Sequence, residues 1–360
     1  MIVRGAPNNY QCRVGVLDDL EVILQNEGYQ KVLCITGEKS LEAASNYLPN
    51  FSTVSVSFET YNGECSPSEV QRYHRIIERE QYDAIIGLGG GKVLDLTKTV
   101  GDSVKKDVIL IPTLAATCAA WTPLSVLYDD EGSFIRFEYY SKSTFYVLVE
   151  PRIISEAPVQ FLKAGIGDTL AKWYEAKSLI HSLDPLPVSV QIALQAARLC
   201  KDLLLEKSLP AIEAVEAQKV TDDLLAVVEA NILLGGMVGG YGDYYGRVAA
   251  AHSVHNALTH IRACHSLLHG EKVAYGVLVQ LALEKEWDEI ELLLPLYEKL
   301  GLPASLESLG LTLQNSEELD LIAEKTLLPS ESIHYMKDSY KKADIISAIE
   351  KLQAYKKITR

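Results

Sequence analysis

Apolar and polar positions alternate with two different periods along this chain, and the change of period falls near residue 150. Val14 to Glu27 carries apolar residues at helical spacing and stops at Gly28, a C-cap glycine; Lys31 to Thr36 is a short β-type run, and a helix follows from about Lys39 to Leu48. Phe51 to Phe58 alternates as a strand does, Ser66 to Arg79 is helical after a Ser-Pro-Ser-Glu start, and Tyr82 to Leu88 is an apolar strand. Val108 to Pro112 and Phe145 to Val149 add two more strands, with a hairpin turn at Asp129-Asp130-Glu131-Gly132 between them. Strands separated by helices of this length predict a parallel sheet with right-handed crossovers.

From Pro151 the period is helical to the end. Helices are expected around 167–183, 188–206, 210–234, 249–259, 271–286 and 290–300; 320–325 and 341–355 read as charged amphipathic helices with solvated outer faces. The chain therefore divides into an α/β domain, 1–150, and an all-helical domain, 151–360. At 360 residues it is long enough for two domains with separate cores. Val108 to Tyr128 is weakly charged but interrupted by Pro112, Pro123 and several Thr, which suits a buried strand and loop better than a membrane span.

A net charge of −14 gives no electrostatic basis for binding nucleic acid or an anionic membrane surface. The six cysteines lack CxxC spacing, in a chain too large to need a disulfide framework, and the N-terminus lacks the apolar run of a signal peptide. A reducing cytoplasm is the expected location, and a small molecule the expected partner.

Chemistry is concentrated at two places. The strand ending at Leu88 runs into Gly89-Gly90-Gly91-Lys92, where glycines let a ligand approach the backbone and the next helix offers free N–H groups and a positive dipole end. A phosphate cradle is favoured over a tight turn, because one glycine usually suffices for the turn; the pattern is neither GxGxxG nor a P-loop. Glu38, after the strand through Ile35, can accept from ribose hydroxyls and would repel a 2′-phosphate, which points to NAD over NADP; it also suits a helix first turn, and Lys39 would soften the repulsion. The small, apolar stretch Thr113 to Tyr128 suits a wall against a cofactor ring.

The second place lies in the helical half. His252 and His255, three residues apart, share one helix face, with Cβ atoms roughly 5–6 Å apart, and His269 opens the segment beginning Gly270-Glu271. Imidazoles with a carboxylate suit a borderline divalent metal, and Asp168, in an otherwise uncharged apolar stretch, is the candidate carboxylate. Core histidines and a helix-capping Asp168 explain the same residues, and spacing alone leaves the two readings even.

The segments GGGKVLDLTK, IPTLAATCAAWTPLSVLY, GIGDTLAKWYEA and AAAHSVHNALT…LHGEKVAYGVLVQ together resemble the iron/zinc-dependent alcohol dehydrogenases, in their glycerol dehydrogenase-like branch. The resemblance covers essentially the whole chain. It implies a Rossmann-like N-terminal domain, an all-α C-terminal domain of the dehydroquinate synthase-like architecture, and NAD-linked, possible NADP-linked, oxidation of an alcohol on a divalent metal, zinc ahead of iron. The resemblance assigns the metal to Asp168, His252 and His269, a proton relay to His255, and the cofactor to Glu38, Gly91, Lys92, Asp95, Thr113, Thr122, Leu124 and Tyr128, to which the phosphate cradle adds Gly89 and Gly90. Family analogy also implies a homo-oligomer.

Two positions depart from that branch. Where glycerol dehydrogenases have an Asp for the polyol, this chain has Cys118, and where iron-type relatives have a fourth histidine, it has Lys172. Lys172 shares a helix face with Asp168, so an anion between ammonium and metal would satisfy both. A 2-oxo or 2-hydroxy carboxylate is such an anion, and CAAWTPLSV, GIGDTLAKWYEA and GGMVGG also resemble a hydroxycarboxylate dehydrogenase-like subgroup. Glycerol or 1,2-diol oxidation is the alternative, and a non-catalytic NAD-binding protein a third.

Overall fold

The computed structural model describes residues 2–358, with side chains to Tyr355. Its first half alternates as the periodicity predicts: β1 (Asn9–Cys12), α1 (Leu20–Asn26), β2 (Lys31–Thr36), α2 (Glu38–Ala44), β3 (Ser55–Thr60), α3 (Pro67–Glu80), β4 (Ala84–Gly89), α4 (Gly91–Val104), β5 (Asp107–Pro112), the hairpin β6 (Leu124–Tyr128) and β7 (Phe134–Tyr139), and β8 (Tyr146–Val149). Six strands form one sheet in the order β1-β8-β5-β4-β2-β3, every pairing parallel. Both faces are covered, so the middle of β2, Val32 to Ile35, and all of β4 can be without polar side chains. Val32 and Cys34 pack with Leu17, Leu20 and Leu24 on one face, while Leu33 and Ile35 meet Tyr73, Ile77 and Leu96 on the other.

The chain builds outward from β2 to β3 on one side, then returns to β4 and continues to β5 on the other. The carboxyl ends of β2 and β4 thus flank the crevice where ligands bind in such sheets. β1 has no counterpart in the sequence reading: Asn-Tyr-Gln-Cys is short and has no apolar alternation, and it becomes a strand by pairing through its backbone with β8.

The second half contains α5 (Pro151–Ser155), α6 (Val159–Leu179), α7 (Val188–Glu216), α8 (Asp222–Glu229), α9 (Gly235–Gly242), α10 (Ala250–Leu258), α11 (His269–Glu284), α12 (Trp287–Leu300), α13 (Ser316–Thr326) and α14 (Lys342–Ile358). Three departures from expectation are informative. α6 starts eight residues before Gly167 because Leu162 and Ile166 already bury an apolar face. α7 runs through Pro210 instead of breaking there: Leu204, Ala211, Ile212 and Val215 are buried on both sides of the proline, and tertiary packing outweighs one lost hydrogen bond. The break comes after Glu216, and the expected 210–234 helix is instead the end of α7, then α8 and a π-helical turn at Ala230–Leu234.

Two apolar clusters belong to the sheet half, and a third crosses between the halves. The third joins Leu110, Val147 and Val149 of the sheet to Leu170, Tyr174, Val273 and Leu278 of the helices. The run Asp222–Gly246 is long and apolar enough to cross a membrane by composition, yet 61% of its most apolar window is buried inside this core.

Candidate active site

Three helices converge on one point. Asp168 lies in the middle of α6, His252 in the first turn of α10, and His269 is the first residue of α11. α11 can approach the other two because of glycine: a Cβ on Gly270 would overlap the Ala164 carbonyl of α6, and one on Gly276 would overlap the Ala251 carbonyl of α10. A mid-helix position removes the capping role considered for Asp168.

Asp168 Oδ1 is 3.3 Å from His252 Nε2 and 3.4 Å from His269 Nε2, and one donor atom from each residue falls within 4.8 Å of the other two. Oδ1 is buried and makes no well-formed hydrogen bond, a costly condition for a carboxylate. Burial alone would raise its pKa, but the Lys172 ammonium and the two imidazoles hold it well below the usual carboxylate range. An anionic oxygen without a hydrogen bond, facing two imidazole nitrogens, fits a divalent cation. The His269 side chain is 43% exposed, against 5% for Asp168, so the cluster opens to solvent on that side.

Glu175, which sequence reasoning did not single out, completes this arrangement. It is fully buried; its Oε2 lies 2.8 Å from His252 Nδ1, and Oε1 accepts from the Ala249 and His252 backbone N–H groups at 2.7 and 3.0 Å. The carboxylate requires the proton on Nδ1 and leaves Nε2 to face Asp168. Burial opposes protonation of His252, but Glu175 and Asp168 outweigh it and raise the pKa to about 9. A signal was present: Asp168, Lys172 and Glu175 fall at i, i+4 and i+7, one stripe of one helix.

His255 packs its ring 4.2 Å from that of His269 and 6.2 Å from that of His252. Burial first, then the two neighbouring imidazoles, push its pKa well below the usual histidine value. Lys172 is buried with Nζ 3.7 Å from Asp168 Oδ1. Burial lowers its pKa, but Asp168 more than reverses this and keeps the ammonium charged. Cys118 lies near enough for Lys172 and Asp168 to act on its thiol in opposite directions, with burial dominant and the pKa raised.

On the sheet side, Gly90 caps α4 without any side-chain acceptor for the first N–H groups. That bare helix start, between the ends of β2 and β4, fits the pyrophosphate of a dinucleotide. Glu38 is exposed in the first turn of α2, Thr113 donates its N–H to the Gly89 carbonyl at 3.0 Å, and Lys92 pairs with Glu64 while standing 5.7 Å from the Tyr128 ring centroid. Asp95, Thr122 and Leu124 are engaged with a residue that sequence reasoning passed over, Lys98. Its buried ammonium binds Asp95 at 2.8 Å and the carbonyls of Ala119 at 2.7 Å, Thr122 at 3.0 Å and Leu124. Asp95 also accepts from Val126 N–H at 3.0 Å. Helix α4 and the loop carrying Cys118 are thereby tied together.

A parallel sheet with an open glycine turn at its switch point, packed on helices that gather Asp168, His252 and His269, fits an enzyme that uses a nucleotide and a divalent metal. Residues 7–151 match the iron-containing alcohol dehydrogenase family. Hydroxycarboxylate dehydrogenase A of Escherichia coli is 40% identical over 97% of this chain and 97% of that protein, and the glycerol dehydrogenase of Thermotoga maritima is 37% identical over 97% and 96%. The crystal structure of glycerol dehydrogenase from Schizosaccharomyces pombe superposes with a TM-score of 0.89 at 31% identity, covering 99% of this chain and 92% of that one. The chain belongs to the iron-containing alcohol dehydrogenase family and is a dehydrogenase of that type, for which family membership implies NAD, a divalent metal and a small-molecule substrate.

Proposed function

We propose that the protein interconverts a small 2-hydroxy acid and the corresponding 2-oxo acid: 2-hydroxy acid plus NAD⁺ gives 2-oxo acid, NADH and a proton. The observation that carries this reading is the buried Lys172 ammonium, 3.7 Å from Asp168 on the stripe that faces the cluster. Likeness to a hydroxycarboxylate dehydrogenase over nearly the whole chain supports it.

In this reading Asp168, His252 and His269 hold the cation, while the turn Gly89–Gly91, with Glu38, Lys92, Asp95, Thr113, Thr122, Leu124 and Tyr128 around it, holds the nucleotide. Bound there, the cation would supply Lewis-acid polarisation of the substrate oxygen, and the nicotinamide would supply the hydride acceptor for C2. Lys172 binds the substrate carboxylate and fixes which face of C2 is presented. His255, buried beside His269, accepts the hydroxyl proton and passes it towards solvent. Cys118 offers the substrate a compact, weakly polar neighbour where a polyol would need an acceptor. We place the boundary between the nucleotide-binding and metal-binding domains at Pro151.

The test is an activity panel on zinc- and iron-loaded enzyme, following NADH and NADPH oxidation with 2-oxobutyrate, 2-oxoglutarate, oxaloacetate, dihydroxyacetone and methylglyoxal. Faster turnover of the oxo acids is expected. The second reading, a glycerol or 1,2-diol dehydrogenase, draws on the glycerol dehydrogenase relatives. Preference for dihydroxyacetone in the panel would select it.

A further inference from the structure

A second chain of polar groups ends beside the cluster, at His255. Asn256 places its Oδ1 3.0 Å from His255 Nδ1, and its Nδ2 3.0 and 3.3 Å from the two carboxylate oxygens of Glu331. Glu331 follows α13 and is 75 residues away in sequence. Its turn is held to α10 independently, because Ile333 N–H donates to Ser253 Oγ at 3.1 Å.

Chemistry fixes the direction of every bond in this chain. A carboxylate accepts and does not donate, so the amide nitrogen of Asn256 must face Glu331 and its amide oxygen must face His255. An amide oxygen also accepts only. His255 Nδ1 therefore carries the hydrogen, and in the neutral ring the lone pair is left on Nε2.

We propose that Glu331, acting through Asn256, is a positioning residue that locks His255 in the Nδ1–H tautomer, so that Nε2 is the atom able to take a proton at the site. The catalytic value of the lock rests on the reading of His255 as proton acceptor; the tautomer itself does not. Without Glu331, the Asn256 amide is free to turn over and present its nitrogen to His255, which would place the hydrogen on Nε2 and block the acceptor.

Zinc-loaded enzyme carrying ¹⁵N-histidine separates these points by NMR, with the His255 signals identified by their loss in His255→Gln. The wild type should show a protonated Nδ1 and an unprotonated Nε2. In Glu331→Ala, and in Asn256→Ala at an exposed position with little risk to folding, the signals should move towards a tautomer mixture. Alongside, kcat should fall several-fold while zinc content and the KM for NADH stay unchanged, and Glu331→Gln, whose amide oxygen can still accept from Asn256, should restore both readouts. An Nε2–H tautomer in the wild type, or an unchanged Nδ1–H tautomer in both alanine variants, overturns the proposal. A changed tautomer with unchanged kcat upholds the lock and removes His255 from proton transfer.

Discussion

Glu175 Oε2 lies 2.8 Å from His252 Nδ1, and this one contact decides which nitrogen of His252 faces the cluster. A histidine whose far nitrogen is held by a buried carboxylate is both oriented and made a better donor to a cation. Glu175→Gln should therefore weaken zinc binding by roughly 10–100-fold. Competition with a chromogenic chelator measures this without any assay of turnover, and wild-type affinity in the variant would remove Glu175 from the metal's support.

In the proposed function Lys172 carries the choice of substrate. Losing a charge-assisted hydrogen bond of about 1.5–3 kcal/mol should raise the KM for 2-oxo acids on the order of 10–100-fold in Lys172→Met. Neutral ketones should be affected little. Equal effects on both substrate classes would refute the carboxylate clamp.

Cys118→Asp restores the acceptor that the glycerol dehydrogenase-like branch carries there. Turnover of dihydroxyacetone should rise relative to 2-oxobutyrate. No change in that ratio would mean that Cys118 does not touch the substrate.

Gly270 is the point at which α11 meets α6, and a methyl group there would overlap the Ala164 carbonyl. Gly270→Ala should cost about 1–3 kcal/mol by overpacking, since backbone rather than a flexible side chain must give way. The displaced α11 should also carry His269 away from Asp168. Thermal melts and zinc content together check this, and a variant with unchanged melting and full zinc would contradict it.

Glu21 gives a pH dependence remote from the site. Its carboxylate accepts backbone N–H bonds from Thr53 at 2.7 Å and Ser52 at 2.6 Å, and these lower its pKa from 4.5 to about 2. A folded-state pKa below the unfolded value means stability that is present above pH 4.5 and lost as the pH falls through about 2. Glu21→Gln should melt below the wild type at pH 7, with the gap closing between pH 4.5 and 2. A gap independent of pH would show that the charge is not responsible.

The residues that were legible in the sequence are those whose neighbours in the chain share their role. Val32 to Ile35 of β2 and the whole of β4 carry no polar side chain because both faces are covered, and the glycine turn follows directly on β4. Asp168, His252, His255 and His269 stand out as polar groups in apolar helices. Lys98 and Glu175 were not legible because their partners are remote: Lys98 binds carbonyls 21 to 26 residues onward, and Glu175 a histidine 77 residues away. In sequence each is an ordinary charged residue on a helix, and only burial reveals that it needs a partner. β1 and the passage of α7 through Pro210 escaped for the complementary reason, since tertiary pairing and packing overrode weak local signals.

The Lys98 ammonium gathers the Ala119, Thr122 and Leu124 carbonyls and Asp95 into one knot, so α4 is fastened to the Cys118 loop. Glu38 stands outside that knot, on α2 beyond the neighbouring strand. On the proposed assignment of nucleotide and substrate, an evolving lineage, or a protein engineer, could therefore exchange the preferred nucleotide at Glu38 without disturbing the substrate wall. On the same assignment, changes at the glycine turn and α4 have no such freedom: whatever they alter in cofactor binding would be transmitted to the residues proposed to select the substrate.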